Sequence, residues 1–140
     1  MALAHNIAIV VGSFHHQHAE VMLESAVKTA SDTGLAIVQT VRVPGSMEKP
    51  LALKQLLLDS SVDGAVVLGV IEQGQTSHGL VIGQAVMNAI IKLQLKLMKP
   101  IGVGILGPNI QSDQIPERLE PYAKNAVTTV SYMLENLTKW

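Results

Sequence analysis

The sequence predicts an α/β fold: a three-layer sandwich in which a four-stranded parallel sheet is flanked by helices on both faces. Three observations predict it. Four short apolar runs rich in β-branched residues recur along the chain. Each is followed by a stretch of helical periodicity. The joins between them are short turns marked by glycine, proline or small polar residues. No repeat, low-complexity tract or linker interrupts the alternation, so residues 1–140 are expected to form one domain.

The elements follow in order. "NIAIVVGS" (6–13) is a continuous apolar run that suits a strand covered on both faces. "AEVMLESAVKTASDTG" (19–34) carries Val21, Met22, Ser25, Ala26 and Thr29 at helical spacing, with Gly34 as its stop. "AIVQTVRVPG" (36–45) is a second strand closed by Pro44-Gly45, and "EKPLALKQLLLDS" (48–60) is a helix with Pro50 in its first turn. "GAVVLGVI" (64–71) is the third strand, followed by a long apolar helix over 78–98. "IGVGIL" (101–106) is the fourth strand, ended by "GPN", and the last helix occupies 115–140, opened by Pro116.

Bulk properties narrow the function. The net charge of −1 supplies no field for polyanions, so nucleic-acid binding has no electrostatic support. With no cysteine, disulfides, thiolate metal sites and cysteine nucleophiles are excluded, and a cytoplasmic location is compatible. The N-terminus lacks the basic flank and cleavage pattern expected of a signal peptide, and no apolar run is expected to approach the roughly 18 residues of a membrane span. Hydrophobic residues at 48% against 15% charged point to an oligomer whose contacts hide apolar surface.

In open parallel sheets, ligands bind beyond the carboxyl ends of the strands. That rule selects "GSFHHQ", "RVPGSMEKP", "EQGQTSH" and "LGPN", where the unusual residues also sit. In the third, Gly74 admits close backbone approach, Thr76 and Ser77 offer hydroxyls, and the next helix aims free N–H groups at the same point. The combination suits an anion such as phosphate, with His78 beside it as a proton shuttle. Read alone, the same turn reads first as a helix cap with a solvated imidazole. Glu48 suits the hydroxyls of a sugar or polyol, or else simply opens a helix. Phe14, the only phenylalanine, could stack on a planar ring or plug the end of the sheet. Arg118 and Lys124 could complete a phosphate site or lie on a solvated helix face. The turn bearing His15, His16, His18 and Glu20 matches no established zinc spacing and reads as solvated, so no metal is expected. GxxxxGK[ST], GxGxxG after the first strand, and GxSxG are all missing.

Taken together, "GSFHHQ", "VRVPGSMEKPLALKQLL", "VDGAVVLGVIEQGQTSH" and "ERLEPYAKNAV" resemble the lumazine synthases, over about residues 6 to 137, and "GILGPN" with "ERLEPYAK" is similar to their archaeal-type branch. The resemblance implies a flavodoxin-like fold. It also implies a cofactor-independent transferase of riboflavin biosynthesis. Such an enzyme condenses 5-amino-6-(D-ribitylamino)uracil with 3,4-dihydroxy-2-butanone 4-phosphate, with loss of phosphate and water. By position, Phe14 would stack on the pyrimidine, and Ser46, Met47 and Glu48 would meet the ribityl chain and ring edge. Gly74, Gln75 and Thr76 would hold the phosphate, His78 would move protons, and Arg118 would pair with the phosphate. Homopentamers, alone or in larger shells, with sites between neighbouring subunits, are implied as well.

The chain departs from the family pattern at His15, Met47, Glu72, Gln75 and Gly79, and in the spacing of Arg118 to Lys124. These departures fall around the site. They leave as alternatives a non-catalytic pentameric scaffold or flavin-like-ligand-binding relative, and a riboflavin synthase of archaeal type on the same fold.

Overall fold

The computed structural model describes residues 4–140. Four strands, β1 (Asn6–Gly12), β2 (Ala36–Val43), β3 (Gly64–Glu72) and β4 (Ile101–Ile110), form one parallel sheet in the order β2-β1-β3-β4. Between and after them run α1 (His16–Thr33), α2 (Lys49–Leu57), α3 (His78–Leu97) and α4 (Pro116–Asn136). The expected three-layer α/β architecture is the one observed.

Side chains alternate across a strand, and that alternation divides the core. Ile7, Ile9 and Val11 of β1, with Val66 and Leu68 of β3, pack against Met22 and Ala26 of α1 and Ala123 and Val127 of α4. Ala8 and Val10, with Ala65 and Val67, face Leu53 and Leu57 of α2 and Val86 and Ile90 of α3. The central strands are buried on both sides, which is why they read as unbroken apolar runs rather than alternating ones. Strand order reverses between β1 and β3, opening a crevice at their carboxyl ends.

Several boundaries differ from expectation. The first helix begins at His16 rather than 19, because His15 takes a left-handed conformation (φ 60°) that turns the chain straight from strand to helix. A single 3-10 turn, Ser46–Glu48, leads into α2, which ends at Leu57 rather than 60. There the carboxylate of Asp59 accepts from the Ser61 backbone and hydroxyl, and Lys99 Nζ donates to the Leu57 and Asp59 carbonyls at 2.7 and 3.0 Å, drawing off groups a longer helix would need. The fourth strand passes its expected stop at "GPN". A register irregularity between Val70 and Glu72 absorbs the Gly107-Pro108 step, and Ile110 pairs again with Glu72. The last helix ends at Asn136 and is continued by a 3-10 turn over Leu137–Lys139.

The α3 helix corrects another expectation. At 20 residues it is long and apolar enough to cross a membrane by those measures alone. It lies instead along the sheet, with Gly83, Val86, Ile90 and Leu93 buried against it. Its outward face exposes Val81, Ile91 and Leu95.

Candidate functional site

A cleft of about 610 Å³ opens at the carboxyl ends of β1 and β3, where the strand order reverses. Phe14, Ser46, Met47, Glu48, Gly74, Thr76 and His78 all line it, so three of the four strand-end segments selected from the sequence meet in one place. Gln75 and Arg118 are not among the lining residues.

Each wall has a local cause. Phe14 follows β1 directly and is held by its N–H, which donates to the Pro44 carbonyl at 3.3 Å, while Ser13 donates through both N–H and hydroxyl to the Val43 carbonyl at 2.8 and 3.0 Å. These bonds tie the end of β1 to the end of β2. The phenyl ring is 70% exposed, with the His15 ring edge-on at 4.6 Å. It does not plug the sheet; it stands at the rim with an open face, as a stacking platform requires.

The opposite wall is the turn before α3. Gly74 has open space where a Cβ would be. The His78 N–H donates to Thr76 Oγ1 at 3.3 Å, and Ser77, at the N-cap position, makes no side-chain cap bond. The expected serine or threonine cap is therefore reduced to one long contact, and the first turn of α3 keeps N–H groups free for an anion. His78 is exposed at that helix start.

Arg118 stands apart from its own cleft. Its guanidinium donates to the Gln114 carbonyl, just before α4, at 2.8 Å and to Glu117 Oε1, in the first turn of α4, at 2.7 Å. Lys124, on the same helix, lines a separate pocket between α1 and α4. The histidine-rich turn holds His15 and His18 with ring centres 5.6 Å apart, and among the described residues no cluster of three or more metal-ligating side chains forms.

One lining residue escaped the sequence reading. Lys49, the first residue of α2, is 1% exposed, and the side chain reaches over the ends of β1 and β3. Its only hydrogen bond among the described residues goes to Ser46 Oγ, at 3.3 Å. Burial pushes its amine from 10.5 down to about 8, partly offset by the nearby Glu48 carboxylate. The signal was in the sequence: Lys49, Leu53, Leu56 and Leu57 share the buried stripe of α2 at helical spacing. A charged residue on that stripe marks a site.

Comparison with known proteins agrees with the geometry. The family model for 6,7-dimethyl-8-ribityllumazine synthase matches residues 4–138. Similar proteins named 6,7-dimethyl-8-ribityllumazine synthase include those of Staphylothermus marinus, 37% identical over 91% of this chain and 85% of the relative, and Picrophilus torridus, 37% identical over 94% and 96%. That of Methanopyrus kandleri is 37% identical over 94% of this chain and 92% of its own. With a matching model along nearly its whole length, archaeal relatives at this identity and a cleft at the switch point of the sheet, the chain belongs to the 6,7-dimethyl-8-ribityllumazine synthase family.

Proposed function

We propose that this protein is a cofactor-independent transferase that forms 6,7-dimethyl-8-ribityllumazine from 5-amino-6-(D-ribitylamino)uracil and 3,4-dihydroxy-2-butanone 4-phosphate. The observation that carries the reading is the convergence of Phe14, Glu48, Thr76 and His78 on one cleft at the switch point. Phe14 takes the pyrimidine face, and Ser46, Met47 and Glu48 take the ribityl hydroxyls and the adjoining ring edge. Gly74, Gln75 and Thr76 with the first turn of α3 take the phosphate. Gln75 and Arg118, outside the cleft of their own chain, act after closure of the turn or from a neighbouring subunit.

The chemistry needs modest tools. The ring amine adds to the ketone and loses water to give an imine. Removal of a proton then drives elimination of phosphate, and ring closure with loss of a second water completes the product. His78 accepts and returns protons at these steps, while the α3 N-terminus stabilises the departing anion. Holding the two substrates side by side supplies much of the acceleration.

The outward apolar side chains of α3, with Val38 of β2 and Tyr132 of α4, suit burial between subunits. A homopentamer, or a multiple of one, in the cytoplasm is the assembly proposed. The test of function mixes the purified protein with both substrates and follows lumazine fluorescence and phosphate release together. Equal molar yields are expected; no product at saturating substrate refutes the assignment. Light scattering tests the assembly, with five chains or a multiple expected.

A further inference from the structure

At the carboxyl ends of β1 and β3, on the face that α2 covers, the alternating column of side chains stops. After Ala8 and Val10 comes Gly12; after Ala65 and Val67 comes Gly69. The β1–β3 pairing runs up to Val11 opposite Leu68, so the two glycines lie level with one another on the central strands. The Lys49 amine occupies the space their side chains would need. A Cβ at Gly69 would lie 2.1 Å from Nζ, and one at Gly12 3.3 Å. Such a placement puts a cation at the switch point itself, in the floor of the cleft.

This amine is poorly satisfied. An ammonium has three donors, and among the described residues Ser46 Oγ is its single acceptor. It has no ion-pair partner there either. The titratable groups that share the cleft are Glu48 from the preceding turn, Glu72 from β3, His15 beyond β1 and His78 at the head of α3. A buried amine held only by a hydroxyl carries a desolvation cost that a bound acceptor would offset. If it served packing alone, an apolar chain would fill the same space without that cost.

We propose that Lys49 is a substrate-reading residue: its amine, seated over Gly69, takes a carbonyl or anionic oxygen on the ring edge of the uracil substrate, in a subsite beside Gly12. Position favours the ring over the phosphate. Gly12 lies two residues before Phe14, and Ser46 belongs to the turn on the same side of the cleft. From Gly69 to Glu72, the last residue of β3, is already about 10 Å at strand rise, and the Gly74–His78 turn lies beyond. The two glycines leave the amine room against the backbone without an intervening Cβ, and Gly12 lines the cleft beside it.

The assignment rests on the cleft being the uracil site, and the experiment separates the two. Titration calorimetry uses two probes: a 6-ribitylaminouracil without the reactive 5-amino group, and inorganic phosphate. Lys49→Met, a neutral chain of similar length, is expected to weaken the uracil probe by about tenfold or more and leave phosphate unchanged. In turnover, the KM for the uracil substrate rises while that for the four-carbon phosphate stays. Because the chain has no cysteine, Lys49→Cys can be aminoethylated in denaturant at that position alone and refolded; the rebuilt amine is expected to restore uracil affinity over the unmodified variant. Unchanged uracil affinity in Lys49→Met, or equal loss for both probes, overturns the subsite while the enzyme reading stands. A wild-type protein that forms no lumazine and binds no uracil probe overturns both.

Discussion

Gly102 of β4 and Ala126 of α4 meet backbone to backbone: a Cβ built on Gly102 would lie 2.2 Å from the Ala126 carbonyl oxygen and 2.8 Å from Val130 Cγ2. The carbonyl belongs to a helix and cannot rotate aside, so relief requires moving α4 off the sheet. Gly102→Ala is expected to destabilise the fold by about 3 kcal/mol or more. The midpoint of urea unfolding checks it; an unchanged midpoint would mean that α4 sits farther from β4 than described.

Gly74 presents the opposite case, with nothing within 4 Å of its would-be Cβ. Gly74→Ala is therefore expected to keep the wild-type unfolding midpoint. If the backbone there approaches the phosphate, the same variant raises the KM for the phosphorylated substrate by about tenfold. Steady-state kinetics in each substrate separately reads the difference, and an unaltered KM would place the phosphate elsewhere.

Removal of the imidazole at position 78 tests proton transfer. His78 is exposed and its backbone, not its ring, makes the contact to Thr76, so His78→Ala should assemble normally. Turnover is expected to fall about 100-fold with little change in either KM. Full activity in the variant would remove the histidine from the mechanism.

Arg118 is tied to Gln114 and Glu117 and does not line its own chain's cleft. If it serves a neighbour, an Arg118→Ala chain and a His78→Ala chain refolded together should recover activity that neither has alone, since some sites then combine two intact contributions. Recovery no greater than the sum of the two separate preparations would place both residues in the service of one subunit.

Lys49 links pH to stability. Its folded-state pKa of about 8 lies below the ordinary 10.5, so between those values the unfolded chain binds the proton that the folded chain has lost. Stability of the wild type therefore rises with pH from about 8 to 10.5. At pH 7 and below the folded protein carries nearly all of the buried charge, at a cost of about 3 kcal/mol. Lys49→Met is expected to be more stable by about that amount at pH 7, with the gain fading as pH approaches 10.5. Urea titrations across the range check it, and a pH-independent gain would point to packing rather than charge.

The sequence itself carried most of the architecture. Runs such as "NIAIVVGS" and "GAVVLGVI" announce strands covered on both faces, because only a two-sided core tolerates continuous apolar side chains. Glycine and proline placed the turns to within a few residues. The exceptions are informative: nothing local revealed that β4 would run on through Gly107-Pro108, since that extension depends on Glu72 of another strand reaching Ile110. Phe14, Glu48, Thr76 and His78 were legible as candidates because each follows a strand end, and the switch-point rule gathers strand ends.

Tertiary structure decided which candidates meet. Phe14 is set at the rim by its bond to Pro44 at another strand's end, and the cleft itself forms only where β1, β2 and β3 bring their ends together. Thr76 with the His78 backbone and Arg118 with Gln114 and Glu117 are, by contrast, contacts within single segments. Lys49 shows the division most sharply. Its place on the apolar stripe of α2 is written in the helical period. Its position over Gly12 and Gly69 exists only once two strands lie side by side beneath the helix, because a lysine stays buried only where backbone without side chains leaves it room.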